Sequence, residues 1–134
     1  MRVSEIVVIF GVLRVVTTTD ISAHGILTCR FKGPWCFLIR LIEEDTYVDD
    51  QVDKYGIRCG FNGDQPFIMS GNQDGDERGS EEYTFFFLIS HNCTLTGKRQ
   101  RFETGRARRR IDEDRVSLSF SMDVSKIGEE TDSF

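Results

Sequence analysis

The sequence predicts an all-β domain, a sandwich of two sheets with about seven or eight strands. Three observations carry that expectation. Residues 115–125 alternate without fault: Val116, Leu118, Phe120, Met122 and Val124 are apolar, and Ser117, Ser119, Ser121 and Asp123 between them are polar. Period-two alternation of this kind is the pattern of a strand with one buried face. Residues 83–89 repeat the pattern, with Tyr83, Phe85, Phe87 and Ile89 on one face and Thr84, Phe86 and Leu88 on the other. Beyond residue 23, no stretch carries an apolar stripe of period 3.6 with caps, whereas turn signals such as Lys32-Gly33-Pro34 and Asn62-Gly63-Asp64 recur.

The elements follow in chain order. Residues 1–23 have the shape of a secretory signal peptide. Arg2 is basic, Ile6–Val16 is an apolar stretch interrupted by Arg14, and Ile21-Ser22-Ala23 offers a small residue before a cut near His24. The alternative reading is a buried first strand. The apolar run is well short of the roughly 18–20 residues that a spanning helix needs, so the chain is not expected to cross a membrane. Removing residues 1–23 takes away Arg2, Arg14, Glu5 and Asp20, which leaves the net charge of -5 unchanged. Residues 24–134 then form one domain. Gly25–Phe31 is a strand. Phe37, Ile39 and Leu41 alternate with Leu38, Arg40 and Ile42, which predicts a strand covered on both faces or an interface. Pro66–Ser70 is a short strand, 71–80 a loop, and the strands at 83–89 and 115–125 complete the core. The expected interior is Phe37, Ile39, Leu41, Phe87, Ile89, Leu118, Phe120 and Met122.

Lys+Arg number 17 against 22 Asp+Glu. The acidic balance argues against a nucleic-acid partner. Charge is also segregated along the chain. Glu43, Glu44, Asp45, Asp49, Asp50 and Asp53 make an acidic run, and Lys98, Arg99, Arg101, Arg106, Arg108, Arg109 and Arg110 a basic one. Both are expected as solvated loops. The four cysteines, Cys29, Cys36, Cys59 and Cys93, are an even set in a small chain and imply disulfides with three open connectivities. Their spacing lacks any C-x-x-C pair, so no structural zinc, other metal or cofactor is expected. Asn92-Cys93-Thr94 is an N-x-T glycosylation sequon. Arg106-Ala107-Arg108-Arg109 fits the R-x-R-R pattern of secretory proteases.

An ordered set of segments resembles the nematode transthyretin-like family. "GILTCRF" holds Leu27 and Cys29 as L-x-C, and "CFLIRLIEED" holds Ile39 to Asp45 as a strand with an acidic end. "DDQVD" spans Asp49–Asp53, "GDQPFIMSG" spans Gly63–Gly71, and "FFFLISHNC" closes on His91 and Cys93. The resemblance covers residues 24–93. It implies a secreted sandwich, immunoglobulin-like in architecture and similar in fold to transthyretin. It departs at Cys36 and Cys59 and in the lack of any cysteine after Cys93, so no disulfide pattern is carried over. The hydroxyisourate-hydrolysing relatives of this fold end in Tyr-Arg-Gly-Ser, whereas this chain ends in Glu130-Thr131-Asp132-Ser133-Phe134.

The resemblance implies a non-enzymatic extracellular protein of recognition or bridging at the cell surface, with an anionic lipid headgroup or a receptor protein as partner. Arg106, Arg108, Arg109 and Arg110 are the candidate patch for that partner. A homodimer is left open. The competing expectation is a carrier of a small apolar ligand, drawn from the 11 phenylalanines. His91 shares strand parity with Phe85, Phe87 and Ile89, so it is expected to hydrogen-bond a backbone carbonyl rather than perform chemistry.

Overall fold

The computed structural model describes residues 18–61, 63–74 and 81–134; the apolar leader stretch Ile6–Val16 and most of the 71–80 loop lie outside them. Nine strands run through these residues: β1 (Thr19–Cys29), β2 (Trp35–Glu43), β3 (Asp50–Gly60), β4 (Gly63–Gln73), β5 (Glu82–His91), β6 (Gln100–Glu103), β7 (Ala107–Arg110), β8 (Arg115–Asp123) and β9 (Glu129–Glu130). They form two sheets, ordered β4-β1-β8 and β3-β2-β5-β6-β9, with β7 also pairing with β5. The fold is a two-sheet β-sandwich, as the alternation predicts.

The inner faces follow strand parity. Phe37, Ile39, Leu41, Phe87, Ile89 and Leu118 are buried, and Phe120 and Met122 pack partly buried against them. Aromatic contacts tie the sheets together. The Phe67 and Phe87 rings meet edge to face at 5.9 Å, and Phe87 stacks on Phe120 at 5.5 Å. Such pairs add about 0.5–1.5 kcal/mol beyond area burial. The small sheet needs a glycine at its centre. β1 runs parallel to β8, and a side chain at Gly25 would collide with the Phe120 carbonyl.

Four segments differ from expectation, one of them β4, which extends the expected strand Pro66–Ser70 to Gly63–Gln73 and so into the expected loop 71–80. The first strand begins at Thr19, well before Gly25, because Ile21 and Ala23 continue the inward parity of Leu27 and Cys29. The Thr19 hydroxyl donates to the Glu113 carbonyl at 3.0 Å. A cut after Ala23 would therefore remove the first turn of pairing from the central strand of the small sheet. The acidic run is a loop only at 44–49; Asp50 and Asp53 belong to edge strand β3. The basic run is a loop only at Lys98, Arg99 and Arg106; Arg101, Arg108, Arg109 and Arg110 lie in strands. β6 and β7 lie one after the other along the same edge of β5, from His91 to Leu88 and from Phe85 to Glu82, interrupted at Thr104–Arg106.

Two disulfides choose among the three connectivities. Cys29 pairs with Cys93 and joins the sheets, with both residues buried. Cys36 pairs with Cys59, its direct cross-strand neighbour in the large sheet.

Pairing registers define the two ends of the sandwich. The links 30–34, 92–99 and 124–128 and the turn at Phe61 gather at the Cys29–Cys93 end. The links 44–49 and 111–114, with Asp74 and Glu81, gather at the other.

Candidate functional site

The trio that ends β5 resolves into three structural roles. His91 is fully buried. Its Nδ1 accepts from the Cys93 N–H at 3.0 Å and its Nε2 lies 2.7 Å from the Ile127 carbonyl, which fixes the Nε2–H tautomer of a neutral ring. Burial lowers the pKa of the ring, against the opposing pull of the Ile127 carbonyl. Asn92 behaves as an extra rung of the β2–β5 ladder: its N–H donates to the Cys36 carbonyl at 3.1 Å, and its Oδ1 accepts from the Cys36 N–H at 2.7 Å. The sequon asparagine is half-buried in this position. Cys93 anchors the strand end through Cys29.

The four nominated arginines separate. Arg106 is engaged by Glu44 at 3.2 Å and by Glu103 at 3.0 Å, and its guanidinium lies 3.9 Å over the Phe86 ring. Arg110 pairs with Asp112 at 2.7 Å. Arg109 is opposite Tyr83, whose face is the inner one, and its guanidinium donates to the Arg108 carbonyl at 2.8 Å. Arg108 lies opposite Thr84 on the outer face, exposed and with no acidic partner among the described residues.

Parity also places sequence-distant bases on the face that carries Arg108. The outer face of the large sheet carries Leu38, Arg40 and Ile42 from β2 and Phe86, Leu88 and Ser90 from β5. Arg40 is directly opposite Lys54 of β3. Directly opposed like charges destabilise a sheet, yet neither side chain has an acidic partner among the described residues. Arg101, opposite Ser90, donates to its hydroxyl at 3.2 Å. The apolar side chains beneath are covered: Leu38 and Phe86 are each 4% exposed. Ile42 and Leu88 are half-buried, and Glu103, opposite Leu88 on the same face, is an acid held by Arg106 at 3.0 Å. Arg40 and Lys54 are not within the basic run, and sequence reasoning that looked for charge runs missed them. The signal was Arg40 itself, the one charge on the outward register of an otherwise apolar strand.

The acidic run makes a different cluster. Glu43, Asp45 and Asp50 each bring a carboxylate oxygen within 4.8 Å of the others, an arrangement with the geometry to hold a cation. Glu43 is at the inner-face end of β2 and is 5% exposed. Burial, then Asp45, Asp50 and Asp49, push its pKa up to about 7, against a Thr84 backbone hydrogen bond. Asp45 Oδ1 is buried without a partner.

A surface cleft of about 490 Å³ beside β6 and β9 is lined by Leu88, Arg101, Phe102, Glu103 and residues 128–131. No helix among the described residues is long and apolar enough to cross a membrane.

No solved structure matches this chain. It is similar to an uncharacterized protein of Caenorhabditis elegans, B0416.7, with 33% identity over 70 residues. That match covers 52% of this chain and 52% of the relative, so the alignment spans about half the length of each. The profile of the family described as "Caenorhabditis elegans protein of unknown function (DUF870)" matches residues 24–133, nearly the whole sandwich, and the chain belongs to that family.

Proposed function

We propose that this protein is a secreted, non-enzymatic recognition module of transthyretin-like type, and that the outer face of its large sheet takes an acidic cell-surface receptor. The observation that carries this is the Arg40–Lys54 cross-strand pair, which shares its face with Arg108 and lacks acidic partners among the described residues. An acidic partner relieves the repulsion between Arg40 and Lys54. Leu38 and Phe86 are covered and Ile42 and Leu88 half-buried, so β2 and β5 offer no fully exposed apolar side chain for insertion, which favours a protein surface over a bilayer. Two disulfides and the apolar leader support an extracellular setting. The leader is then cut upstream of Thr19, which keeps Ile21 and Ala23 in the core. The carrier alternative has weaker support, since the cleft beside β6 is lined by Arg101, Glu103, Glu129 and Glu130 as well as by Leu88 and Phe102.

The test is binding of labelled, purified protein to intact nematode cells with and without surface proteolysis. The reading expects binding that proteolysis abolishes, that weakens with salt, and that drops several-fold in an R40S/K54S/R108S variant of unchanged thermal stability. Equal binding by wild type and variant at low salt overturns it. N-terminal sequencing of protein from medium checks the leader: a start at or before Thr19 is expected, and a stable protein starting at His24 refutes that boundary.

A further inference from the structure

We infer that Tyr47 is a tyrosine-sulfation site, an acid-flanked phenol that the 44–49 link presents to a sulfotransferase of the secretory pathway. The site lies at the opposite end of the sandwich from the Cys29–Cys93 bridge, and it rests on the recognition reading only for its secretory setting.

The chain has three tyrosines, and the fold treats them differently. Tyr83 is 3% exposed, and its hydroxyl donates to the Gln73 carbonyl at 3.4 Å. Tyr55 is half-buried on β3, stacked on Phe37 at 6.1 Å with the Arg58 guanidinium 4.9 Å over its ring. Tyr47 is 93% exposed, and Val48 beside it is 72% exposed. The Asp45 N–H donates to Asp49 Oδ1 at 3.0 Å across the base of the link, so residues 46–48 form its tip. A transferase can reach that phenol without opening a strand.

The flanks supply recognition. Glu43, Glu44 and Asp45 precede the tip and Asp49 and Asp50 follow it, with no base between Arg40 and Lys54. An activated sulfate is itself an anion, so these acids repel it in free solution. A cationic cleft that holds the donor and the acids together removes that barrier and selects this tyrosine. The acids offered outward are Asp49 and Asp50, both exposed, with Glu44 held by Arg106 at 3.2 Å. Glu43 is buried and gives an enzyme nothing to grip. In the transfer, the phenol oxygen attacks the sulfur of a nucleotide phosphosulfate. The bond from sulfur to the phosphate oxygen breaks, the nucleotide phosphate leaves, and the phenol proton passes to a base of the transferase. The product is a charged sulfate ester on the tip of the acidic end.

The deciding experiment incubates the purified, oxidised protein with a tyrosine sulfotransferase of the secretory pathway and radiolabelled phosphoadenylyl sulfate. Label is expected in the tryptic peptide spanning residues 41–54, whose one tyrosine is Tyr47. Tyr47→Phe should abolish it. D49N/D50N should slow it several-fold, and D49E/D50E should restore it. Both positions are exposed, an asparagine at 49 keeps an Oδ1 acceptor for the Asp45 N–H, and circular dichroism checks that the variants stay folded. No label in this peptide overturns the inference, as does label that D49N/D50N leaves unchanged, or label on Tyr55 or Tyr83 of the folded chain. The same peptide is then weighed in protein recovered from the medium of animal cells. A mass gain that phosphatase leaves in place and chlorate, which blocks sulfate activation, prevents is expected. An unmodified peptide, or a gain that phosphatase removes, overturns the inference. Absence of the protein from medium overturns the secretory setting instead, and the labelling result stands apart from it.

Discussion

At one end of the sandwich the links carry Arg30, Lys32, Lys98, Arg99 and Lys126 without an acid. At the other, the links 44–49 and 111–114 carry Glu44, Asp45, Asp49, Asp112, Glu113 and Asp114 without a base. Strand ends temper the contrast: Asp123 and Glu130 pair with Arg30 and Lys98 at the first end, and Arg106 and Arg110 pair with Glu44 and Asp112 at the second. The ends also differ in how they are held. The basic end is satisfied: a buried disulfide and a buried histidine with both ring nitrogens bonded lock its loops together. The acidic end holds a buried carboxyl pushed up to about 7 and an unpartnered Asp45 oxygen. Stability is concentrated at the first end, and electrostatic tension at the second.

That contrast is breakable by mutation. The largest effect is expected from Cys29→Ala with Cys93→Ala. Opening a link across 64 residues of sequence costs about 4 kcal/mol by loop entropy alone. Urea unfolding should show that loss in the midpoint, and a loss under about 1 kcal/mol would deny the basic end its role as the anchor. Removing Cys36 and Cys59 together should cost less. The span is 23 residues, for which loop entropy gives about 3.4 kcal/mol at most, and the β2–β3 ladder still holds the strands side by side. A reversed order of the two double variants would show that the sheet edge, not the inter-sheet link, limits unfolding.

The smallest effect has the opposite sign. Glu43 has a folded pKa of about 7 against an ordinary value of 4.5. The folded state therefore binds the extra proton. The contribution of this group is most favourable below about pH 4.5 and is lost as pH rises through about 7. Glu43→Gln should raise stability at pH 8 by on the order of 2 kcal/mol and change little at pH 4. Thermal melts at the two pH values read the difference, and an equal shift at both would place the carboxyl's difficulty in packing rather than charge.

Much of the fold was legible because parity survives local detail. Phe37, Ile39, Leu41, Phe87, Ile89 and Leu118 face inward as the alternation requires, and His91 follows from the parity of β5. Charge runs were the weak signal. The acids Asp50 and Asp53 and the bases Arg108 and Arg110 read as solvated loops, yet an edge strand needs apolar residues on one face at most, so charge on the other is no bar to pairing. The candidate site was legible only at Arg108. Arg40 and Lys54 share its face only through the strand order β3-β2-β5 with β7 on the far edge of β5, a placement with no trace in local sequence. The polarity of the ends was invisible for the same reason: its residues come from links far apart in the chain.

The broken strand β6–β7 has a consequence for processing. The Arg106-Ala107-Arg108-Arg109 motif looks like a protease site in the sequence, but from Ala107 onward its backbone is hydrogen-bonded to β5 in the folded protein. A protease needs that segment free and extended in its own cleft, so β7 must first peel from β5. The break at Thr104–Arg106 makes this a short peel of four residues rather than of a whole strand. Cleavage after Arg109, where it occurs, thus clocks how often one sheet edge opens, and a partner that clamps the outer face would slow that clock without ever touching the enzyme.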